Sequence, residues 1–333
     1  MPAHVTRRMP IAAARASAGA LIAWLLLTSC GAGPSLGTPL RRRGDEVVAC
    51  GAMFHTGSPV VLWMDPGGYD AYRLEPRFSA SSRDGPTMGA KARYGPHRRG
   101  LPEAMAERVE RDGWRLEDLN RAVRMLVLHY DSAGTSRQCF KVLHDVRGLS
   151  AHFLLDLDGT IYQTLDLKER AWHAGDANDA SIGIEIANIG AYSSPNDANL
   201  REWYRTDAQG PLVAPPRWIV EPGLRTPGFT PRPARPDLIR GEVHGRTLYQ
   251  YDFTDAQYRA LARLLAALHR VLPRIRLDAP RDANGAVLRR TMSEYERSHF
   301  EGVVGHWHLT ERKVDPGPAF DWDRLFRDAR ALH

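Results

Sequence analysis

Three short runs constrain this chain more than any other feature. Val123-Arg124-Met125-Leu126-Val127-Leu128 leads directly into His129-Tyr130, and Val303-Val304-Gly305 leads into His306. Ser181 to Ala187 places Ile182, Ile184 and Ile186 on one face and Glu185 on the other. Runs of this length read as strands, and near-continuous apolar strands must be covered on both faces. Thr254 to Val271 supplies a cover: Tyr258, Leu261, Leu264, Leu265 and Leu268 form one helical stripe behind Thr254, a good N-cap. Of 333 residues, 43% are hydrophobic and 25% charged, which leaves enough apolar material for a sizeable core. Disordered, collagen-like and coiled-coil chains are excluded. Three cysteines are too few for a disulfide-stapled mini-fold.

The first 29 residues read as an address. Arg7, Arg8 and Arg15 precede an apolar run from Ala16 to Thr28, and no acid occurs before Asp45. That is a secretory signal pattern, too short for the ~20 residues of a stable membrane-spanning helix. The run ends Leu27-Thr28-Ser29-Cys30. This resembles a bacterial lipobox, which implies cleavage before Cys30, acylation of Cys30 and a stable membrane anchor. Gly31 at the next position resembles lipoproteins passed to the outer membrane, facing the periplasm, if the cell is Gram-negative. An ordinary signal peptide with an incidental cysteine is the plainer alternative. Removing residues 1–29 takes away three arginines and no acid, so the charge falls from +6 to +3. No basic stripe with interleaved aromatics remains, and no nucleic-acid partner is expected. Cys50 and Cys139 can pair in an oxidising envelope or remain as free thiols.

The domain organisation follows from composition. Residues 30–45 read as a lipid-anchored tether, and 46–119 as a small β-rich accessory segment with strand-like runs at Val47 to Phe54 and Val60 to Met64. Residues 120–325 form the main domain and 326–333 a tail. Within the main domain, Ser136 to Val146 reads as a helix beginning at a Ser cap, and Asp158-Gly159 as a hairpin turn. A Pro-rich insertion occupies about 190–250. Nine of the 23 prolines fall in 195–236, a density that predicts an extended surface segment without regular structure.

His129 and His306 stand at strand ends, and Asp315 lies nine residues after His306 beside a turn. Zinc takes about four ligands at ~2.0–2.2 Å from His nitrogen or carboxylate oxygen, and a catalytic site keeps one position open. Two strand-end histidines and one loop carboxylate can supply three, although they are scattered and no short motif such as HExxH is present. His308 shares a strand face with His306, so alternation cannot separate them. Only four of the 45 basic residues are lysines: Lys91, Lys141, Lys168 and Lys313. A lysine kept beside Arg312 is therefore notable, since an ammonium can follow a developing oxyanion where a planar guanidinium suits a bidentate partner.

Seven blocks then carry a resemblance. Leu128-His129-Tyr130, Ser150-Ala151-His152-Phe153, Asp158-Gly159-Thr160-Ile161-Tyr162-Gln163, Ala171-Trp172-His173-Ala174-Gly175, Ser181-Ile182-Gly183-Ile184-Glu185, Gly305-His306 and Lys313-Val314-Asp315-Pro316-Gly317 occur in the order seen in zinc-dependent N-acetylmuramoyl-L-alanine amidases. The resemblance to this amidase-2 group, which shares its fold with peptidoglycan recognition proteins, spans residues 120–323 apart from the insertion. With the lipobox, it looks most like the envelope lipoprotein type.

The resemblance implies an α/β fold with a mixed central β-sheet, helices on both faces and one Zn2+ per chain at a sheet edge. Matched by position, His129, His306 and Asp315 correspond to the metal ligands, and Glu185 and Lys313 to the catalytic pair. Trp172, His173 and Asn188 become candidates for binding glycan or stem peptide, with a structural turn as their alternative. His152 is expected beneath the sheet, and Cys139 is a weaker alternative ligand. The activity implied is hydrolysis of the amide between N-acetylmuramic acid and L-alanine, in cell-wall remodelling or recycling, with peptidoglycan or muropeptides as partner. The rivals are a non-catalytic peptidoglycan-binding lipoprotein on the same fold and a structural lipoprotein with a relict domain. Nothing in the sequence sets an oligomeric state.

Overall fold

The computed structural model describes residues 41–79 and 86–333, with Met1 and Ala3. The expected signal peptide and Cys30 lie outside the described residues. Residues 42–333 form one compact unit. No helix among the described residues is long and apolar enough to cross a membrane.

The unit is organised on six strands: β1 (Val60–Leu62), β2 (Met125–Tyr130), β3 (Phe153–Leu155), β4 (Ile161–Gln163), β5 (Ser181–Ile186) and β6 (Gly302–Gly305). Their spatial order is β6-β2-β5-β3-β4-β1. Only β3 and β4 pair antiparallel, across the Asp158-Gly159 turn, so the sheet is mixed as expected. The period of two sorts side chains between the faces. Leu126, Leu128, Ile182, Ile184 and Ile186 join one core cluster, while Met125, Val127 and Val304 join another. His129 and Glu185 share the parity of the second set.

Helices pack on both faces of the sheet. Four are used below: α1 (Ser136–Phe140), α2 (Ala198–Trp203), α3 (Asp255–Val271) and α4 (Trp322–Arg330). The α3 stripe buries Tyr258, Leu261, Leu264, Leu265 and Leu268 in the sheet's main cluster, beside Leu325 and Phe326 of α4. Fully burying one such side chain stabilises the fold by about 1.5–3 kcal/mol. α1, which continues as a π-helical segment at Lys141–Arg147, places Phe140 and Cys139 on the opposite face with Leu154 and Tyr162.

Several expectations are corrected. The N-terminal segment is β-rich, but Val60–Leu62 pairs parallel with Ile161–Gln163 and completes the central sheet. Val47, Val48 and Ala49 belong to the main core, and Gln163 bonds both the N–H and the carbonyl of Val48. The boundary drawn at 325 falls inside α4, where Phe326 and Ala329 are buried. The helix cap is Thr135, whose hydroxyl accepts from the N–H of Gln138, because Ser136 already lies inside the helix.

The Pro-rich stretch has regular structure despite its composition. It contains α2 and a hairpin, Tyr204–Asp207 with Gly210–Val213. A two-stranded hairpin is all edge, where proline's missing N–H costs nothing, and Pro211 sits in such a strand. Leu200, Trp203, Tyr204 and Val213 also bury a cluster of their own against Leu157, Ala187 and Ile189.

Thr254 caps α3 as expected, accepting from Gln257 N–H at 3.1 Å while its hydroxyl donates to the Leu157 carbonyl at 2.7 Å. The capping box is completed by the Gln257 side chain, which accepts from Thr254 N–H. Thr254→Ala is expected to cost about 1–2 kcal/mol, read as a lower urea midpoint at unchanged slope.

Candidate metal centre

Ligands of α/β sheets gather beyond the carboxyl ends of the strands. Three such ends meet here. β6 runs parallel to β2 with Gly305 opposite Leu128, which sets His306 beside His129. β5 runs parallel to β2 on its other side with Glu185 opposite His129. After Gly305 the chain enters a 3-10 turn, His306–His308, and returns at Asp315, whose carbonyl accepts from Trp307 N–H at 3.2 Å. A Cβ at Gly305 would lie 2.7 Å from Pro316 Cδ and 3.2 Å from the Asp315 carbonyl oxygen. Glycine is therefore needed for Asp315 to close on the strand end.

The result is a buried triad. Asp315 Oδ2 lies 2.8 Å from His129 Nδ1 and 3.1 Å from His306 Nδ1. One ligand atom from each residue falls within 4.8 Å of the others. Burial, then His306 alongside, pushes His129 down to about 4, so its imidazole is neutral at neutral pH as a metal ligand must be. Burial works against the Asp315 carboxylate, but the hydrogen bonds of His129 and His306 hold it below the usual range. Two imidazoles and one carboxylate form a donor set suited to a divalent cation. A second group, Asp45, Glu46 and His55, lies near the N-terminus. Its carboxylates already accept from the backbone N–H groups of Arg43, Gly44 and Gly57.

The triad opens into a cavity of about 510 Å³. Glu185 and Lys313, the pair implied by the resemblance, both line it. Burial, then Asp315 nearby, pushes Glu185 well above the usual carboxylate range, with Lys313 opposing. Lys313 is half-buried. Its carbonyl accepts from His244 Nε2 at 3.0 Å, which anchors the backbone behind the side chain. Asp131, just past β2, accepts from Ala133, Gly134 and Asn188 N–H groups and so ties the ends of β2 and β5 together.

The remaining candidates separate. His173 lines the cavity, with Nδ1 3.1 Å from His129 Nε2. Trp172 is half-buried and does not line the cavity; its N–H donates to Ser150 Oγ. Asn188 is buried away from the cavity. Its Nδ2 donates to the Tyr251 carbonyl, and its Oδ1 accepts from Gly190 N–H and Gln250 Nε2. The expected ligand-binding role of Asn188 is thus replaced by one holding loops together. Gln250 Nε2 also donates to the Pro316 carbonyl, and Gln250 Oε1 accepts from Ala319 N–H.

His308 ceases to rival His306. The 3-10 turn rotates it inward, where Nδ1 accepts from Gly305 N–H and Nε2 donates to the Leu288 carbonyl. His152 lies beneath the sheet as expected, bonded to the Glu169 carbonyl and Gly183 N–H. Cys50 and Cys139 are free thiols. Burial pushes the Cys139 thiol well up, which disfavours the thiolate a metal would need. Sequence reasoning missed Glu202, Trp203 and Trp218 of the insertion and Arg147, all of which line the cavity. A tryptophan in a proline-rich surface stretch was the available signal.

Residues 119–209 match the amidase-2 family model, described as N-acetylmuramoyl-L-alanine amidase. That segment of the chain is similar to the amidase-2 family. His129, His173 and Glu185 lie within the matched span, whereas His306, Lys313 and Asp315 lie beyond it. Curated relatives include two proteins named 1,6-anhydro-N-acetylmuramyl-L-alanine amidase AmpD. That of Haemophilus influenzae is 24% identical over 192 residues, 57% of this chain and 64% of the relative. That of Salmonella typhimurium strain LT2 is 27% identical over 193 residues, 55% of this chain and 58% of the relative. The chain therefore spans less than two thirds of the length of these relatives. Among solved structures, a selenomethionine AmpD derivative aligns with TM-score 0.30 at 23% identity, covering 64% of this chain and 86% of that one. The Escherichia coli amidase AmiD, solved with anhydro-N-acetylmuramic acid-L-Ala-D-γ-Glu-L-Lys, aligns with TM-score 0.33 at 22% identity, covering 62% and 57%.

Asn188→Ala is expected to lower stability by about 1–3 kcal/mol in urea denaturation, because it leaves buried partners unpaired. Metal content should be unchanged, as measured by elemental analysis.

Proposed function

We propose that this chain is a zinc-dependent peptidoglycan amidase that hydrolyses the amide between N-acetylmuramic acid and L-alanine of the stem peptide. The observation that carries the reading is the convergence of His129, His306 and Asp315 at the floor of a cavity that also holds Glu185 and Lys313. The names of the curated relatives support the bond attacked.

His129 Nδ1, His306 Nδ1 and Asp315 Oδ2 would hold the cation. A zinc ion in such a site supplies Lewis acidity, polarising a carbonyl and lowering the pKa of water toward ~7. Glu185 stands where it can take a proton from the attacking water and return it to the leaving amine of L-alanine. Its raised proton affinity suits a group that must carry that proton between the two steps. The Lys313 ammonium faces the same cavity and stabilises negative charge developing on the carbonyl oxygen. Residues from the insertion and Arg147 wall the remaining space for glycan and peptide. Envelope anchoring through acylated Cys30 rests on the lipobox. Cys30→Ala should release the protein from membrane fractions on immunoblotting.

Glu185→Gln is expected to keep zinc and muropeptide binding while turnover falls about 10²–10⁴-fold, measured by mass spectrometry of released stem peptide. His306→Ala should lose both zinc and turnover, whereas His308→Ala should keep zinc and lower only stability. Chelation should abolish release and zinc should restore it. A zinc-loaded protein that frees no stem peptide would overturn the proposal.

A further inference from the structure

A second cavity, of about 570 Å³, lies at the other end of the sheet. Arg124 and Ala180 line it, and they immediately precede β2 and β5. Arg124 N–H donates to the Ala180 carbonyl at 3.0 Å, and the Arg124 carbonyl accepts from Gly302 N–H of β6 at 2.9 Å. The cavity therefore opens at the amino ends of the three strands whose carboxyl ends carry the proposed metal centre. Strands as long as β2 span about 20 Å. The two cavities share no lining residue.

Five arginines line this cavity: Arg99, Arg108, Arg121, Arg124 and Arg274. Two carboxylates line it as well, and both are engaged. Asp179 is held at 2.6 and 3.1 Å by Arg170, which stands outside the cavity, and it accepts from Arg99 N–H. Asp118 pairs with Arg108 and accepts from Arg115 N–H at 3.1 Å. Arg274 pairs with Glu301 at 2.8 Å. That leaves Arg99, Arg121 and Arg124 without an ion pair among the described residues. Arg124 is half-buried, and its guanidinium reaches the Phe300 carbonyl at 3.4 Å. Burial, then Arg274 alongside, holds it below the ordinary range for arginine, with Glu301 opposing. Arg108 Nη1 is buried with no hydrogen-bond partner among the described residues. Guanidiniums held out of water in this way cost free energy until an anion meets them. The helix Glu103–Asp112 also begins at this cavity, at Pro102, and no side chain caps its first N–H groups. A helix start adds positive potential. Glu103 in its first turn is exposed and does not line the cavity.

We propose that this cavity binds a phosphate group carried on a small, partly apolar ligand. One carboxylate is filled by one arginine fork. A phosphate ester offers three terminal oxygens and up to about two negative charges, enough for guanidiniums arriving from separate segments. Arg108 comes from the helix Glu103–Asp112, Arg121 from the helix Leu116–Ala122, and Arg124 from the start of β2. Leu101, Pro102 and Met105 supply apolar wall beside them, which suits an ester better than the bare ion. Two sources share this chemistry, a soluble phosphate ester and the headgroup of an anionic lipid. The proposal stands independently of the metal centre at the other end of the sheet.

The test titrates phenyl phosphate into the full-length, zinc-loaded protein by calorimetry, and sediments the same protein with phosphatidylglycerol or phosphatidylcholine vesicles. Arg124→Gln and Arg121→Gln should each weaken binding about 10–100-fold, the loss of one charge-assisted hydrogen bond. Arg259→Gln, on the exposed side of α3 and outside the cavity, should change nothing. A soluble source shows as weakened phenyl phosphate binding with vesicle binding unchanged. A lipid source shows as selective loss from phosphatidylglycerol vesicles; the N-terminus is common to all variants and cancels in the comparison. Wild-type protein that binds neither probe overturns the proposal. So does binding that both cavity variants retain in full, which would place the phosphate at the metal centre or elsewhere, and so does an equal loss in Arg259→Gln. If Arg124→Gln does not fold, Arg121→Gln decides, since Arg121 is exposed and makes no ion pair among the described residues.

Discussion

Parallel pairing on both sides of one strand governs this molecule. Met125–Tyr130 has β6 on one flank and β5 on the other, both running in its own direction. Parallel neighbours bring the same ends of their strands together, so three carboxyl ends open onto one place. The register then decides which side chains arrive there. Glu185 stands opposite His129, and His306 follows the pair formed by Gly305 and Leu128. A slip by one residue in β5 would turn Glu185 into the core and bring an isoleucine to the cavity. The isoleucines that lock the register belong to the main core, so the packing that stabilises the sheet also sets the chemistry at its end.

The same link explains how much could be read in advance. Strand-end histidines are legible because an apolar run that stops at an imidazole has few structural uses. The α3 stripe and its Thr254 cap are legible because both are local patterns. Asp315 is a possible third ligand by its place beside a turn, but only the resemblance singles it out, since nothing local distinguishes it from other loop carboxylates. What joins it to the histidines is a close backbone approach at Gly305, a contact between distant segments.

The misreadings share a cause. Alternation in an extended strand puts His308 on the same side as His306, but the chain turns after Gly305, and His308 spends both nitrogens on backbone groups. Asn188 follows a functional strand closely, yet it satisfies loop atoms instead of facing the cavity. The proline count implied irregular backbone, whereas a hairpin open on both edges tolerates proline and gains its own apolar cluster. In each case local pattern was overridden by where unpaired backbone groups found partners.

The Gln250 side chain deserves a different reading from that of a buried amide. It stands at the end of a hairpin strand, Arg246–Gln250, that is part of the insertion. It grips the chain on both sides of Gly317, at the Pro316 carbonyl and the Ala319 N–H, and reaches Asn188 behind β5. The segment carrying Asp315 is thus fastened to the insertion as well as to the sheet. An insertion that merely decorated the surface could be shortened or exchanged between relatives without consequence for the cavity floor. This one could not, because its last strand holds part of the frame for a proposed ligand. Length variation should be tolerated in the hairpin tip at 207–210 and resisted near 250, so the two ends of one insertion are under different constraints.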